Sequence, residues 1–187
     1  LYTSDNGPWN QDKYTKNKKG HPEGSIFWGD AGRLRNGKGS PYEGGYRLPC
    51  IARWPGKIPA GRKSDAIFAT IDFMPTFASL CGFKVPDDRK IDGVDQTNLL
   101  LGKSEKGRET FYFDRAGIRK GKWKYLKADA HFYGYAREDS RPKEEELYNL
   151  EKDLEEKNNL AKKHPKILAE LRKLTESMPK DGPGGIH

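Results

Sequence analysis

Hydrophobic positions along the 187-residue chain fall into three stretches of different rhythm. From residue 1 to about 65, apolar residues stand singly among Gly, Pro, Asn and charged positions. They follow neither the strand nor the helix period, which predicts loops between short strands. Leu1 to Thr3 reads as the end of a buried strand, with Asp5, Asn6, Gly7 and Pro8 as the turn that stops it. A second stretch runs from Ile67 into Asp72-Phe73-Met74-Pro75-Thr76-Phe77-Ala78-Ser79-Leu80-Cys81-Gly82. Here Asp72 is expected to cap a helix, Pro75 falls in its first turn and Gly82 closes it. Phe73, Phe77 and Leu80 share one face, so this helix is expected to be buried on that side. Pro86 to Gly93 then reads as a turn and Leu99-Leu100-Leu101 as a short apolar patch.

The third stretch predicts a small antiparallel sheet followed by a helix. Phe111-Tyr112-Phe113, Ala116 to Arg119 and Trp123-Lys124-Tyr125-Leu126 are strand-like, with a hairpin turn at Lys120-Gly121. Apolar and charged residues alternate there, as in a sheet with one wet face. Glu146 to Leu150 adds a further strand. From Pro165, the spacing of Ile167, Leu168, Leu171 and Leu174 is a helical stripe with Pro in the first turn. The Pro179 to Gly185 tail ends it, and no internal repeat is present.

Composition narrows the class. Charged residues make up 33% against 34% hydrophobic ones, and the mean hydropathy is -0.97, a balance that also suits disordered chains. The 9 Tyr, 8 Phe and 4 Trp nevertheless supply enough large side chains for a core. No run approaches the roughly 20 apolar residues of a membrane helix. Cys50 and Cys81 lack the spacing of a zinc site or a disulfide scaffold, and each is expected to be a small buried residue. The net charge of +8 is scattered, without a basic stripe or nucleic-acid motif, so nucleic acid is not expected as a partner. The chain opens at Leu1 without Met or a charged leader, which reads as a missing beginning.

Two segments carry candidate chemistry. Asp5 and Asn6, at a strand's carboxyl end, offer a carboxylate and an amide oxygen, part of what a hard divalent cation requires. In Arg35-Asn36-Gly37-Lys38-Gly39-Ser40-Pro41, Lys38 stands between glycines, a mobile ammonium suited to a tetrahedral anion. The order of Lys38 and Gly39, and Pro41 beyond them, excludes a phosphate-binding P-loop. Each segment alone is ordinarily no more than a turn or a solvated loop.

Together they resemble a known family. Ser4-Asp5-Asn6-Gly7-Pro8, Gly37-Lys38-Gly39, Tyr42-Glu43-Gly44-Gly45, Arg47, Pro49, Trp54-Pro55-Gly56, Ile58 and Gly61 follow, in order, the pattern of the formylglycine-dependent sulfatases, arylsulfatases in particular. Asp72, Pro75-Thr76, Gly82, Pro86, Asp92-Gly93, Arg119 to Lys124, Glu146-Leu147-Tyr148, Asp153, Glu156 and Asn159-Leu160 continue it. The resemblance implies an α/β, alkaline-phosphatase-like fold of which this chain is the carboxyl-terminal portion. Residues 1–105 would then be the end of the catalytic domain, including an edge of its central sheet. Residues 106–187 would form an α+β subdomain with a small antiparallel sheet and a terminal helix.

It also implies hydrolysis of sulfate esters, of aryl or carbohydrate type. Calcium, less readily magnesium, would be held partly by Asp5 and Asn6, and Lys38 would contact the sulfate. The formylglycine nucleophile would lie upstream. Cys50-Ile51-Ala52-Arg53-Trp54 comes near its C-x-P-x-R or C-x-A-x-R signature but has Arg53 one place early, so Cys50 reads as a strand residue of the core. His21, in the loop between the two motifs, is a substrate-binding candidate, and Arg47 is expected to support the loop. Trp9, Tyr14 and Trp28 suit sugar rings, while Lys13, Lys16, Lys18 and Lys19 would favour a sulfated glycan. The family implies an extracytoplasmic location. The chain alone is expected to be inactive and poorly stable. Two alternatives stand beside this reading: a phosphatase or phosphodiesterase of the same fold, and a non-catalytic polyanion-binding module.

Overall fold

Along the chain the elements are β1 (Tyr2–Thr3), α1 (Glu43–Tyr46), β2 (Cys50–Ile51), a 3-10 turn (Thr70–Asp72), α2 (Phe73–Leu80), α3 (Thr97–Leu100), β3 (Thr110–Tyr112), β4 (Gly117–Lys120), β5 (Trp123–Leu126), β6 (Glu146–Asn149) and α4 (Pro165–Glu176). They are taken from a computed structural model that describes residues 1–9, 29–130 and 141–178. The chain divides into two compact units. One comprises Leu1–Thr3 with Pro49–Phe111, the other Ser4–Leu48 with Tyr112–His187.

In the first unit, β1 and β2 form an antiparallel ribbon with Tyr2 opposite Ile51 and Thr3 opposite Cys50. The strand at Leu1 to Thr3 is not buried as its sequence suggests. Tyr2 is 67% exposed and Ile51 63%, because a two-stranded ribbon leaves both faces open. For the same reason Cys50 is a strand residue but lies exposed, and Cys81, just past the end of α2, is exposed as well.

The helix expected from residue 72 forms as α2, and Gly82 closes it at a φ of +76°. The Phe83 N–H reaches back to the Ala78 carbonyl at 2.8 Å. Its buried residues are Pro75 and Thr76, whereas Phe77 is exposed and stacks on Phe73. The aromatic stripe is therefore not the buried face. Asp72 makes no side-chain cap on α2. Its buried carboxylate takes the N–H of Ala69 and of Val94 and a two-pronged bond from Arg108. One side chain thus ties the helix start to the loop before α3 and to the segment leading into β3.

The second unit is built on the antiparallel sheet β4-β5-β6. Lys120 opposite Trp123 leaves Gly121-Lys122 as a two-residue turn, Gly121 adopting the positive φ such a turn requires. One face carries Ile118, Tyr125 and Leu147 and packs on Leu171 of α4, with Ile167, Leu168 and Leu174 alongside. The other carries Leu126 and Tyr148, packed with Leu150 and Tyr42. The expected wet face is absent. Lys124, which shares the second face with Leu126, is fully buried, since the segment around α1 covers it.

Candidate functional site

The second unit also contains both segments that the sequence singles out. In the turn after β1, the Ser4 hydroxyl donates to the Asn6 carbonyl at 3.0 Å, and the Asn6 amide donates to Asp5 Oδ2 at 2.7 Å. Committing its NH₂ group to Asp5 leaves the amide oxygen of Asn6 as a lone-pair donor next to the exposed carboxylate. Gly7 follows in a buried position, its N–H bonded to the Gly45 carbonyl at 3.1 Å. A methyl group there would run into the Gly44 carbonyl oxygen, so only glycine permits this approach. The Pro8 carbonyl accepts the N–H of Lys38 at 2.9 Å.

The lysine loop is as tightly wound. Gly44 N–H donates to the Arg35 carbonyl at 2.9 Å, and Ser40 N–H to the Gly37 carbonyl at 3.1 Å. Side chains at Gly44 or Gly45 would strike the carbonyls of Asn36 and Ser40. Asn36 and Gly39 hold positive φ on either side of Lys38. The partly buried Lys38 ammonium lies 5.3 Å from the centre of the Trp9 ring, a cation–π contact. The structure therefore joins the Asp5–Asn6 turn to the Lys38 loop through backbone bonds. His21, Tyr14, Trp28 and the lysines at 13, 16, 18 and 19 lie outside the described residues.

Behind the loops lies a network that the sequence did not announce. Lys124 Nζ is 2.9 Å from both Glu43 Oε1 and Glu156 Oε1, and 4.0 Å from the centre of the Phe113 ring. Glu156 Oε2 accepts the N–H of Glu43 at 2.7 Å. Arg119 and Arg47 approach the second oxygen of Glu43 at 3.9 and 3.8 Å, so Arg47 supports α1. Burial alone would raise the Glu43 carboxyl, but the three cations outweigh it and hold its pKa below the ordinary value. Glu156 goes the other way. Burial raises it, Lys124 offsets only part, and the Glu43 charge pushes it further up.

A second cluster adjoins the first. The Arg35 guanidinium stacks 3.6 Å over the Tyr42 ring and donates to the Tyr148 hydroxyl and the Glu156 carbonyl. Tyr42 donates to Glu146. Burial, then the Glu146 charge, raises the pKa of both phenols, Arg35 opposing, so they remain neutral hydrogen-bonding groups. The overlooked signal was Lys124 itself, a charged residue on a strand between aromatic and aliphatic neighbours. Glu43 and Glu156 matched the family pattern, but a single sequence does not say that they meet.

Chemically, the exposed turn offers two hard oxygen donors and the adjoining loop one ammonium. Among the described residues no group of three or more His, Cys, Asp or Glu side chains is placed to hold a metal ion. No helix among them is long and apolar enough to cross a membrane.

Comparison with known proteins identifies the family. An N-acetylgalactosamine-6-O-sulfatase of Bacteroides thetaiotaomicron is 36% identical over 95% of the chain, which spans 35% of that enzyme. Arylsulfatase G of Mus musculus is 36% identical over 62% of the chain and 22% of its own length. A solved Bacteroides thetaiotaomicron structure, described with the metabolism of multiple glycosaminoglycans, superimposes with a TM-score of 0.73 at 37% identity, covering 94% of this chain and 37% of that one. A further structure, in complex with its substrate D-glucosamine-2-N,6-O-disulfate, is 30% identical with a TM-score of 0.54, over 72% of this chain and 28% of that one. The chain thus spans about a third of the length of its fuller relatives and shares their α/β, alkaline-phosphatase-like fold. The family model described as N-sulphoglucosamine sulphohydrolase, C-terminal, matches residues 37–181, and the chain accordingly belongs to the sulfatases, as a carboxyl-terminal portion of one.

Proposed function

We propose that the protein to which this chain belongs hydrolyses sulfate esters of carbohydrates, and that Asp5, Asn6 and Lys38 are this portion's share of its sulfate site. The observation that carries the proposal is the bond from the Lys38 N–H to the Pro8 carbonyl, which sets the lysine loop against the Asp5–Asn6 turn. The carboxylate and amide oxygens suit calcium in donor type, and magnesium less well because its octahedral demand is stricter. They are two donors of the six to eight that calcium takes, and in this reading the remaining carboxylates are supplied from upstream of residue 1. When bound, the cation supplies positive charge to the sulfuryl oxygens.

The residues of this chain have separate tasks. Lys38 carries a mobile ammonium to a sulfate oxygen and to the oxygen that leaves with the sugar, where negative charge grows as the ester breaks. Trp9 confines that ammonium from one side. The glycines of the loop allow backbone to close on backbone, which fixes the root of the Lys38 side chain relative to the turn before substrate arrives. The nucleophile, a formylglycine in this reading, lies outside residues 1–187. His21 remains a candidate for contact with the sugar. A boundary near residue 105 is part of the same proposal, as one of family organisation. The turn and the lysine loop come from before it, their buried anchors Lys124 and Glu156 from after it.

A sulfated glycan as substrate is supported by the glycosaminoglycan context of the relatives and by the net charge of +8. Extracytoplasmic calcium levels would suit a site with a weak oxygen donor set. The test is turnover by the full-length protein of sulfated hexosamines, an aryl sulfate and an aryl phosphate. Release of sulfate from the sugar, falling by about 10²-fold or more in Lys38→Ala, is expected. Preference for the phosphate, or full activity in Lys38→Ala, would overturn the reading.

A further inference from the structure

The ions around Lys124 take no part in the steps above, yet they are sealed behind the site. Lys124 is 0% exposed, Glu156 1% and Glu43 2%. Such a set is an expensive way to fill a core, since apolar side chains of similar volume commonly stabilise as well or better. What it supplies here is a grip on α1. Four residues are too few to hold a helix by their own hydrogen bonds. Glu156 binds the first amide of α1 while Lys124 binds its first side chain. The next two residues, Gly44 and Gly45, carry the bonds to Arg35 and Gly7.

We propose that Lys124 is a positioning residue for the sulfate site: by holding Glu43 and Glu156 it fixes α1, and through the backbone of Gly44 and Gly45 it sets the Lys38 loop against the Asp5–Asn6 turn. Its catalytic consequence rests on the sulfatase reading. Its structural half does not, and the two are measured separately.

In the full-length protein, amide hydrogen exchange is followed for the wild type, Lys124→Met, Lys124→Arg and Arg172→Ala. The last is a control that breaks the pair between Arg172 of α4 and Glu145. Lys124→Met is expected to speed exchange by about tenfold or more in peptides covering residues 4–9 and 35–47, leaving β4 and α4 protected. Lys124→Arg should restore part of that protection, and Arg172→Ala should leave the two segments unchanged. The rate kcat on the sulfated sugar should fall by roughly tenfold in Lys124→Met with little change in KM, and by less than about twofold when Lys38 is already Ala. Unchanged exchange in the two segments would overturn the proposal. So would raised exchange with normal kcat, or the same loss of kcat with and without Lys38. Should Lys124→Met not fold, Glu43→Gln, which removes one arm of the grip while keeping the side chain's shape, is read by the same criteria. If the wild type turns over no sulfate ester, the sulfatase reading fails, and exchange alone decides whether Lys124 positions the loop.

Discussion

Gly7 has no room for a side chain. Its missing side chain is the space occupied by the Gly44 carbonyl, and its N–H is held by Gly45. Gly7→Ala should therefore cost at least about 1–3 kcal/mol in denaturant unfolding and lower sulfate-ester turnover. Glu156 and Glu43 give a different kind of prediction. The folded state holds the Glu156 proton more tightly than the unfolded one. Its contribution is therefore complete below the ordinary carboxyl pKa and is lost as pH rises through the folded value. For Glu43, whose pKa is lowered, stability is present above the ordinary value and is lost as pH falls through the folded one. Relative to wild type, the melting temperature of Glu156→Gln should rise from pH 4 to 7, and that of Glu43→Gln should fall. At this scale the sequence displayed Asp5, Asn6 and Lys38, because glycine, proline and asparagine announce turns locally. It concealed the role of Lys124, because burial of a lysine depends on partners 81 residues away for Glu43 and about 30 away for Glu156.

Among the elements, α4 was the most legible. Its apolar positions recur every three or four residues over more than two turns, behind a proline in the first turn. Leu171, 1% exposed, sits where α4 meets Ile118, Tyr125 and Leu147. Leu171→Ala should cost about 2–5 kcal/mol, read from the midpoint of urea unfolding. The strands β4, β5 and β6 were also visible in the pattern, but the character of their second face was not. Alternation of charged and apolar residues ordinarily means water on one side. Here the lysine instead meets two carboxylates and an aromatic ring. The helix α1 left no periodic trace, since four residues do not complete two turns. In α2 the aromatic stripe was real, but the buried positions are Pro75 and Thr76, which pack near Gly93 and Gln96. Periodicity marks a face; it does not say which face finds a neighbour.

For the molecule as a whole, the family pattern extends through both compact units, which is why the fold was recognisable although few elements are long. The net charge of +8 is carried by this portion alone. It should draw an anionic glycan over distances set by the Debye length, so KM for a polysulfated substrate should rise severalfold between about 50 and 300 mM salt, with kcat nearly constant. A KM indifferent to salt would count against a charged polymer as substrate. The second unit is assembled from two stretches separated by residues 49–111, and this orders events during synthesis. The lysine loop leaves the ribosome before its anchors, since Lys124 follows Glu43 by 81 residues and Glu156 by 113. At about 5–20 residues per second, the nascent loop waits roughly 4–16 s for Lys124 and roughly 6–23 s for Glu156.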